Sequence, residues 1–70
     1  MLKRSLTIAG HRTSIALEPE FWEGLEALAA RRSVRLTALI EEIDAVRQTP
    51  NLSSALRIAV LRDVQDRLES

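Results

Sequence analysis

The sequence predicts a mainly helical protein with one short strand that a second copy of the chain completes, and three observations lead there. Residues Arg12–Leu17 alternate, with Thr13, Ile15 and Leu17 on one side and Arg12, Ser14 and Ala16 on the other, which is the period of a half-buried strand. From Pro19 onward, three segments repeat apolar residues at helical spacing and no second strand of comparable length is evident. The chain has 70 residues and no cysteine, and a domain of that size buries only about 60% of the surface its unfolded form exposes. A lone strand cannot satisfy its own backbone N–H and C=O groups. The expected mate is the same strand of a twin molecule, in an antiparallel homodimer.

Each element has its own signature. Residues 1–11 read as an N-terminal arm: Ser5-Leu6-Thr7-Ile8 alternates like a strand, but Ala9-Gly10 interrupts it before the ribbon begins. The residues leave three conformations open: extending the ribbon, folding back, or remaining mobile until a ligand orders them. The first helix is expected from Pro19 to about Arg32, since proline suits a first turn and Glu18, Glu20 and Glu23 favour the positive end of the helix dipole. Its stripe is Phe21, Leu25, Leu28 and Ala29, with Trp22 beside it and its ring expected under the third helix. Gly24 weakens this helix by about 1 kcal/mol relative to alanine, so it marks either a close helix crossing or nothing. Ser33-Val34 makes a turn, and Leu36, Leu39, Ile40 and Ile43 define a second helix ending near Arg47. Pro50 disfavours helix before it and Asn51 suits an N-cap, so a third helix is expected over Leu52 to about Leu68. Its stripe of Leu52, Leu56, Ala59, Val60, Val64 and Leu68, widened by Ile58 and Leu61, is broad enough to meet more than one surface. The expected organisation is therefore an arm (1–11), a strand-helix-helix core (12–47), and a linker with a C-terminal helix (48–70).

Ten basic and ten acidic residues cancel, but they are not evenly spread. Lys3, Arg4 and Arg12 share residues 1–17 with no acid, and Arg31, Arg32 and Arg35 cluster between the first two helices. If the two groups share one face of a dimer, the zero total conceals a surface that attracts phosphate. One histidine and no cysteine give no metal site worth naming, no cofactor is called for, and a chain this small offers little pocket for aligning a catalytic triad or holding a small-molecule substrate. No stretch approaches the ~20 apolar residues of a membrane span, and residues 1–20 lack the apolar run of a signal peptide. A cytoplasmic, non-enzymatic protein is expected.

The order strand, helix, short turn, helix resembles the ribbon-helix-helix DNA-binding fold of small bacterial and phage repressors of the Arc and MetJ type. The likeness rests on Arg12–Leu17, on Phe21, Leu25 and Leu28, and on Leu36, Leu39 and Ile40. The run from Lys3 to Ser14, continuing through Leu17 to Trp22, and the run Asn51–Arg57 are similar to a bacterial subgroup with an extra C-terminal helix. The resemblance implies a homodimer whose ribbon enters the major groove of double-stranded DNA, with Arg12, Ser14 and Ala16 meeting base edges. Arg12 can donate two hydrogen bonds to guanine, Ser14 can pair with several bases, and Ala16 offers only a methyl contact. The resemblance also implies phosphate contact at the start of the second helix, here Arg35, Leu36 and Thr37. Relatives often carry glycine and a small capping residue where this chain has Ser33 and Arg35. Because Ala16 leaves only two polar readers per ribbon strand, the arm residues Lys3, Arg4, Ser5, Thr7 and His11 are expected to add contacts.

The function expected from this reading is a sequence-specific transcriptional regulator, with two dimers able to occupy adjacent half-sites one helical turn apart. The competing reading is a dimeric protein-interaction module, or an antitoxin-like protein with weak DNA binding, which the neutral charge, Ala16 and the broad third helix favour. His11 beside Gly10 also reads as a turn residue, and Glu41, Glu42 and Asp44 as a solvated helix face.

Overall fold

Residues 1–17 form a hairpin, not an arm followed by a lone strand. The computed structural model describes residues 1–69. In chain order its elements are β1 (Leu2–Ile8), β2 (His11–Leu17), α1 (Pro19–Arg31), α2 (Leu36–Val46) and α3 (Leu52–Glu69). β1 and β2 pair antiparallel from Leu2↔Leu17 to Ile8↔His11. Ala9 and Gly10 both have positive φ, 52° and 81°, the backbone of a two-residue type I′ turn whose twist matches the strands it joins. Alanine is unfavourable there, and the Glu41 carboxylate of α2 supports it by accepting the Ala9 N–H at 2.7 Å.

This corrects the expectation that the only mate for Arg12–Leu17 lies in another molecule. The chain supplies that mate itself: of the three conformations left open for the first eleven residues, it folds back. The backbone groups of β2 facing β1 are satisfied within one protomer, so dimerisation no longer follows from an orphan strand.

The hairpin's inner face closes the core. Ile8, Ile15 and Leu17 are buried with Trp22, Leu25 and Ala29 of α1, Leu39 and Ile40 of α2, and Leu56 and Val60 of α3. α1 is rotated from the expected stripe. Trp22 is 1% exposed and belongs to the core, whereas Phe21 and Leu28 are only partly covered. The cause is the second strand. The Trp22 indole donates to the Leu2 carbonyl at 2.8 Å, and the Arg4 guanidinium lies 4.7 Å from its ring centroid. Expecting α3 alone to cover this ring left β1 out.

Local chemistry sets the helix boundaries. Pro19 opens α1, and Ser33, at φ 56°, closes it in the left-handed region while its N–H reaches the Ala30 carbonyl at 3.1 Å. Asn51 caps α3 as expected, its side-chain oxygen accepting the Ser54 N–H at 3.1 Å. Arg47 braces the preceding turn through Asp44 at 2.8 Å and the Pro50 carbonyl at 2.5 Å. Gly24 marks a close crossing: a Cβ there would fall 2.6 Å from a Val60 methyl of α3.

The outer half of the expected α3 stripe is not covered. Ala55, Leu56 and Val60 are buried, but Ile58, Leu61, Val64 and Leu68 are exposed, as is Val46 of α2. Among the described residues, no helix is long and apolar enough to cross a membrane.

Candidate nucleic-acid interface

Strand alternation and the two-residue turn together decide which side chains share the hairpin's outer face. Directly opposed residues lie on the same side of a sheet. The pairs Lys3↔Ala16, Ser5↔Ser14 and Thr7↔Arg12 therefore share one face, and Ile15, Leu17 and Ile8 occupy the other. The outer face carries two cations, three hydroxyls and a methyl, with no acid and no large apolar group. Five of the six side chains are exposed, and Ala16 is half-buried. At its centre the Ser5 and Ser14 hydroxyls lie 3.4 Å apart.

The state of the cations separates this face from the rest of the surface. Arg4 pairs with Glu26 at 2.6 Å, Arg31 with Asp63, Arg32 with Glu42 at 2.6 Å, Arg47 with Asp44, Arg57 with Glu18 at 2.9 Å and Arg67 with Asp63. Among the described residues, Lys3, Arg12, Arg35 and Arg62 engage no acid. Two of these four are on the ribbon face and a third begins α2. The internal pairs thus engage six of the ten basic residues and leave uncancelled the two cations of the ribbon face, Arg35 at the start of α2, and Arg62 on α3.

The expected site residues divide accordingly. Lys3, Arg12, Ser14 and Ala16 come together, joined by Ser5 and Thr7. Arg4 departs from its expected place. Its side chain is on the inner side of the hairpin, stacked on Trp22 and paired with Glu26. His11 begins β2 opposite Ile8, exposed, with its carbonyl near the Thr13 hydroxyl at 3.5 Å. It therefore follows the inner-face alternation. Arg31 and Arg32, expected to form a basic group with Arg35, are each tied to an acid.

Arg35, Leu36 and Thr37 lie at the start of α2. Arg35 is the N-cap, extended at φ −72° and ψ 152°, and makes no side-chain capping bond. The first amide N–H groups of α2 therefore have no side-chain cap and lie beside an exposed guanidinium, with no acid in the first turn. Such a terminus favours an anion. No hydrogen bond or ion pair among the described residues links it to the ribbon face.

Glu18, at the junction of β2 and α1, is held below the usual carboxylate range, mainly by the Arg57 guanidinium that donates to it and also by a backbone hydrogen bond. This pair ties the start of α3 to the end of the ribbon. The Ser53 hydroxyl does the same, donating to the Ala16 carbonyl at 3.3 Å.

Chemically, the ribbon face offers a guanidinium able to span two acceptors, an ammonium, hydroxyls that both donate and accept, and a methyl. These are the groups that read base edges and hold phosphate oxygens. Among the described residues, no group of three or more histidine, cysteine or acidic side chains is placed to hold a metal ion. Neither the curated proteins nor the solved structures provide a match to the chain. A family model described as a ribbon-helix-helix domain matches residues 1–64. With the match spanning both strands, α1, α2 and most of α3, the chain belongs to the ribbon-helix-helix domain family, whose proteins are generally non-enzymatic DNA-binding regulators.

Proposed function

We propose that this protein is a cytoplasmic, sequence-specific transcriptional regulator that acts as a homodimer, with its β-ribbon in the major groove of double-stranded DNA. The observation that carries this reading is that the acid-free ribbon face holds two of the four cations that engage no acid among the described residues, Lys3 and Arg12. Arg12 is the principal base reader, Ser14 an adaptable one, and Ala16 a methyl contact. Ser5, Thr7 and Lys3 supply the polar contacts that Ala16 cannot make. Arg35 and the free N–H groups of Leu36 and Thr37 meet a flanking phosphate. Dimerisation is supported by the small core and by the exposed Val46, Ile58, Leu61 and Leu68, which would be costly to leave in water. The mode of action is occupancy of the operator, as a repressor, with adjacent half-sites open to a second dimer.

Selection of bound sequences from a pool of random duplexes tests this. A preferred sequence should emerge, and Arg12→Ala should weaken binding to it by about 1–3 kcal/mol. A second reading, a protein-interaction module or antitoxin-like protein, is favoured by the same exposed apolar residues of α2 and α3. It gains if no sequence is enriched and Arg12→Ala changes nothing.

A further inference from the structure

Arg62 engages no acid among the described residues and lies away from both the ribbon face and the start of α2. It borders a groove of about 370 Å³ between the C-terminal end of α2 and the facing side of α3. Ile43 and Val46 form one wall of this groove, and Ala55, Ile58 and Ala59 form the other. The polar part of the lining is Arg62 together with Arg47, Gln48 and Thr49 of the connecting segment, and no acid lines it.

The sequence accounts for the shape. Ala55, Ile58, Ala59 and Arg62 recur at i, i+3, i+4 and i+7, so they share one side of α3. Two of the four are alanines, whose single methyl leaves open the space that a larger side chain would fill. Ala55 is buried at the floor, whereas Val46 and Ile58 are exposed at the mouth. Leu61, Val64 and Leu68 belong to another side of the helix, more than a third of a turn round from the groove at 3.6 residues per turn. A second copy seated on that stripe leaves the groove open, and Val46 and Ile58 are covered by what enters it.

We propose that this groove binds an aliphatic monocarboxylate, with its chain between α2 and α3 and its carboxylate on Arg62. Size, polarity and direction select that class. The volume falls within the range of small-molecule sites, and at roughly 30 Å³ each it holds about a dozen non-hydrogen atoms. The walls are aliphatic, and the lining carries two guanidiniums without a carboxylate, which favours an anion. Arg47 is already engaged by Asp44 and by the Thr49 and Pro50 carbonyls. Arg62 is not, and Asp66, one turn further along α3, makes no ion pair with it. The step from Ala55 to Arg62 is about 10 Å along the helix axis, so the charge sits at one end of the groove and the apolar walls occupy the rest. The other end meets the last turn of α2, whose partial negative charge repels a carboxylate and tolerates a hydrocarbon tail.

Octanoate and octanol, which share a chain and differ in charge, test this on the whole isotope-labelled protein through backbone amide shifts. With octanoate the changes should saturate and centre on residues 43–49 and 55–62. Arg62→Gln should weaken octanoate about two- to fivefold, the size of an ion pair open to water, and leave octanol unchanged. Ala59→Leu fills the groove and should abolish binding of both. Shifts that never saturate, or that centre on Leu61, Val64 and Leu68, overturn the site. An equal loss for both ligands in Arg62→Gln, or no loss for octanoate, overturns the role of Arg62. If octanoate leaves the groove residues unmoved and Ala59→Leu dissociates a dimer in sedimentation, a second copy occupies the groove and the proposal falls. Arg62 is exposed, so its variant decides even where Ala59→Leu folds poorly. No duplex is present in these titrations, and their outcome is independent of the DNA-binding reading.

Discussion

Gly24→Ala should change sign as a stability effect depending on what stands at position 60. A Cβ built at Gly24 lies 2.6 Å from one Val60 methyl, 3.4 Å from the other and 3.6 Å from the Val60 Cβ. Carbon atoms in good contact sit about 3.5–4.0 Å apart, so the nearest pair overlaps by about 0.9–1.4 Å. Val60 cannot easily turn away, because a β-branched side chain in a helix has one strongly preferred rotamer and this one is 7% exposed. Overpacking of this kind costs about 1–3 kcal/mol, and replacing a mid-helix glycine by alanine returns about 1 kcal/mol. The net expectation with Val60 present is a loss of about 1 kcal/mol, taking the middle of the overpacking range. In a Val60→Ala background both methyls are gone and the nearest remaining atom is at ordinary contact distance. Gly24→Ala should then stabilise by about 1 kcal/mol, which sets the coupling between the two sites at about 2 kcal/mol. Urea denaturation of the four proteins at one fixed concentration measures this directly. A stabilising Gly24→Ala in both backgrounds, with coupling near zero, would refute the claim that glycine is there to let α1 and α3 approach.

Two further substitutions test local features. Ser33→Gly should raise stability by up to about 1 kcal/mol by removing a side chain from left-handed backbone, checked by the same denaturation. Glu18 has a lowered carboxyl pKa because of Arg57. Its contribution is therefore complete above the unfolded value and is lost as pH falls through the folded one. Melting temperature followed from neutral pH into the acid range should fall more steeply for wild type than for Glu18→Gln, and parallel curves would contradict this.

Helix content and boundaries were legible in the sequence because their signals are local. Pro19, Pro50 and Asn51 stand where chain termini of helices need them, and Leu39, Ile40, Leu56 and Val60 repeat at the helical period and are buried. β1 was harder to read. A two-residue hairpin is announced by asparagine-glycine or aspartate-glycine, and Ala9-Gly10 has alanine in the first left-handed position. What compensates is Glu41, thirty-two residues away, and that contact has no sequence signature. The same distance in sequence hid the rotation of α1, since Trp22 is buried through Leu2 and Arg4. On the ribbon face, alternation already placed Arg12, Ser14 and Ala16 together. Choosing among the five polar residues of the expected arm required the turn length, which brings Lys3, Ser5 and Thr7 to that face and sends Arg4 and His11 to the other alternation. The basic group at Arg31, Arg32 and Arg35 was over-read, because Asp63 and Glu42, which engage two of its members, are adjacent only in the folded chain.

The central claim is that the outer face of the hairpin is the surface that meets DNA. Backbone amide shifts of the isotope-labelled protein, recorded while a duplex selected from a random pool is added, locate that surface residue by residue. The account predicts that the largest changes fall on Lys3, Ser5, Thr7, Arg12 and Ser14, with a second group at Arg35–Thr37. Changes confined to the exposed α3 edge at Ile58, Leu61 and Leu68, with the ribbon silent, would contradict it.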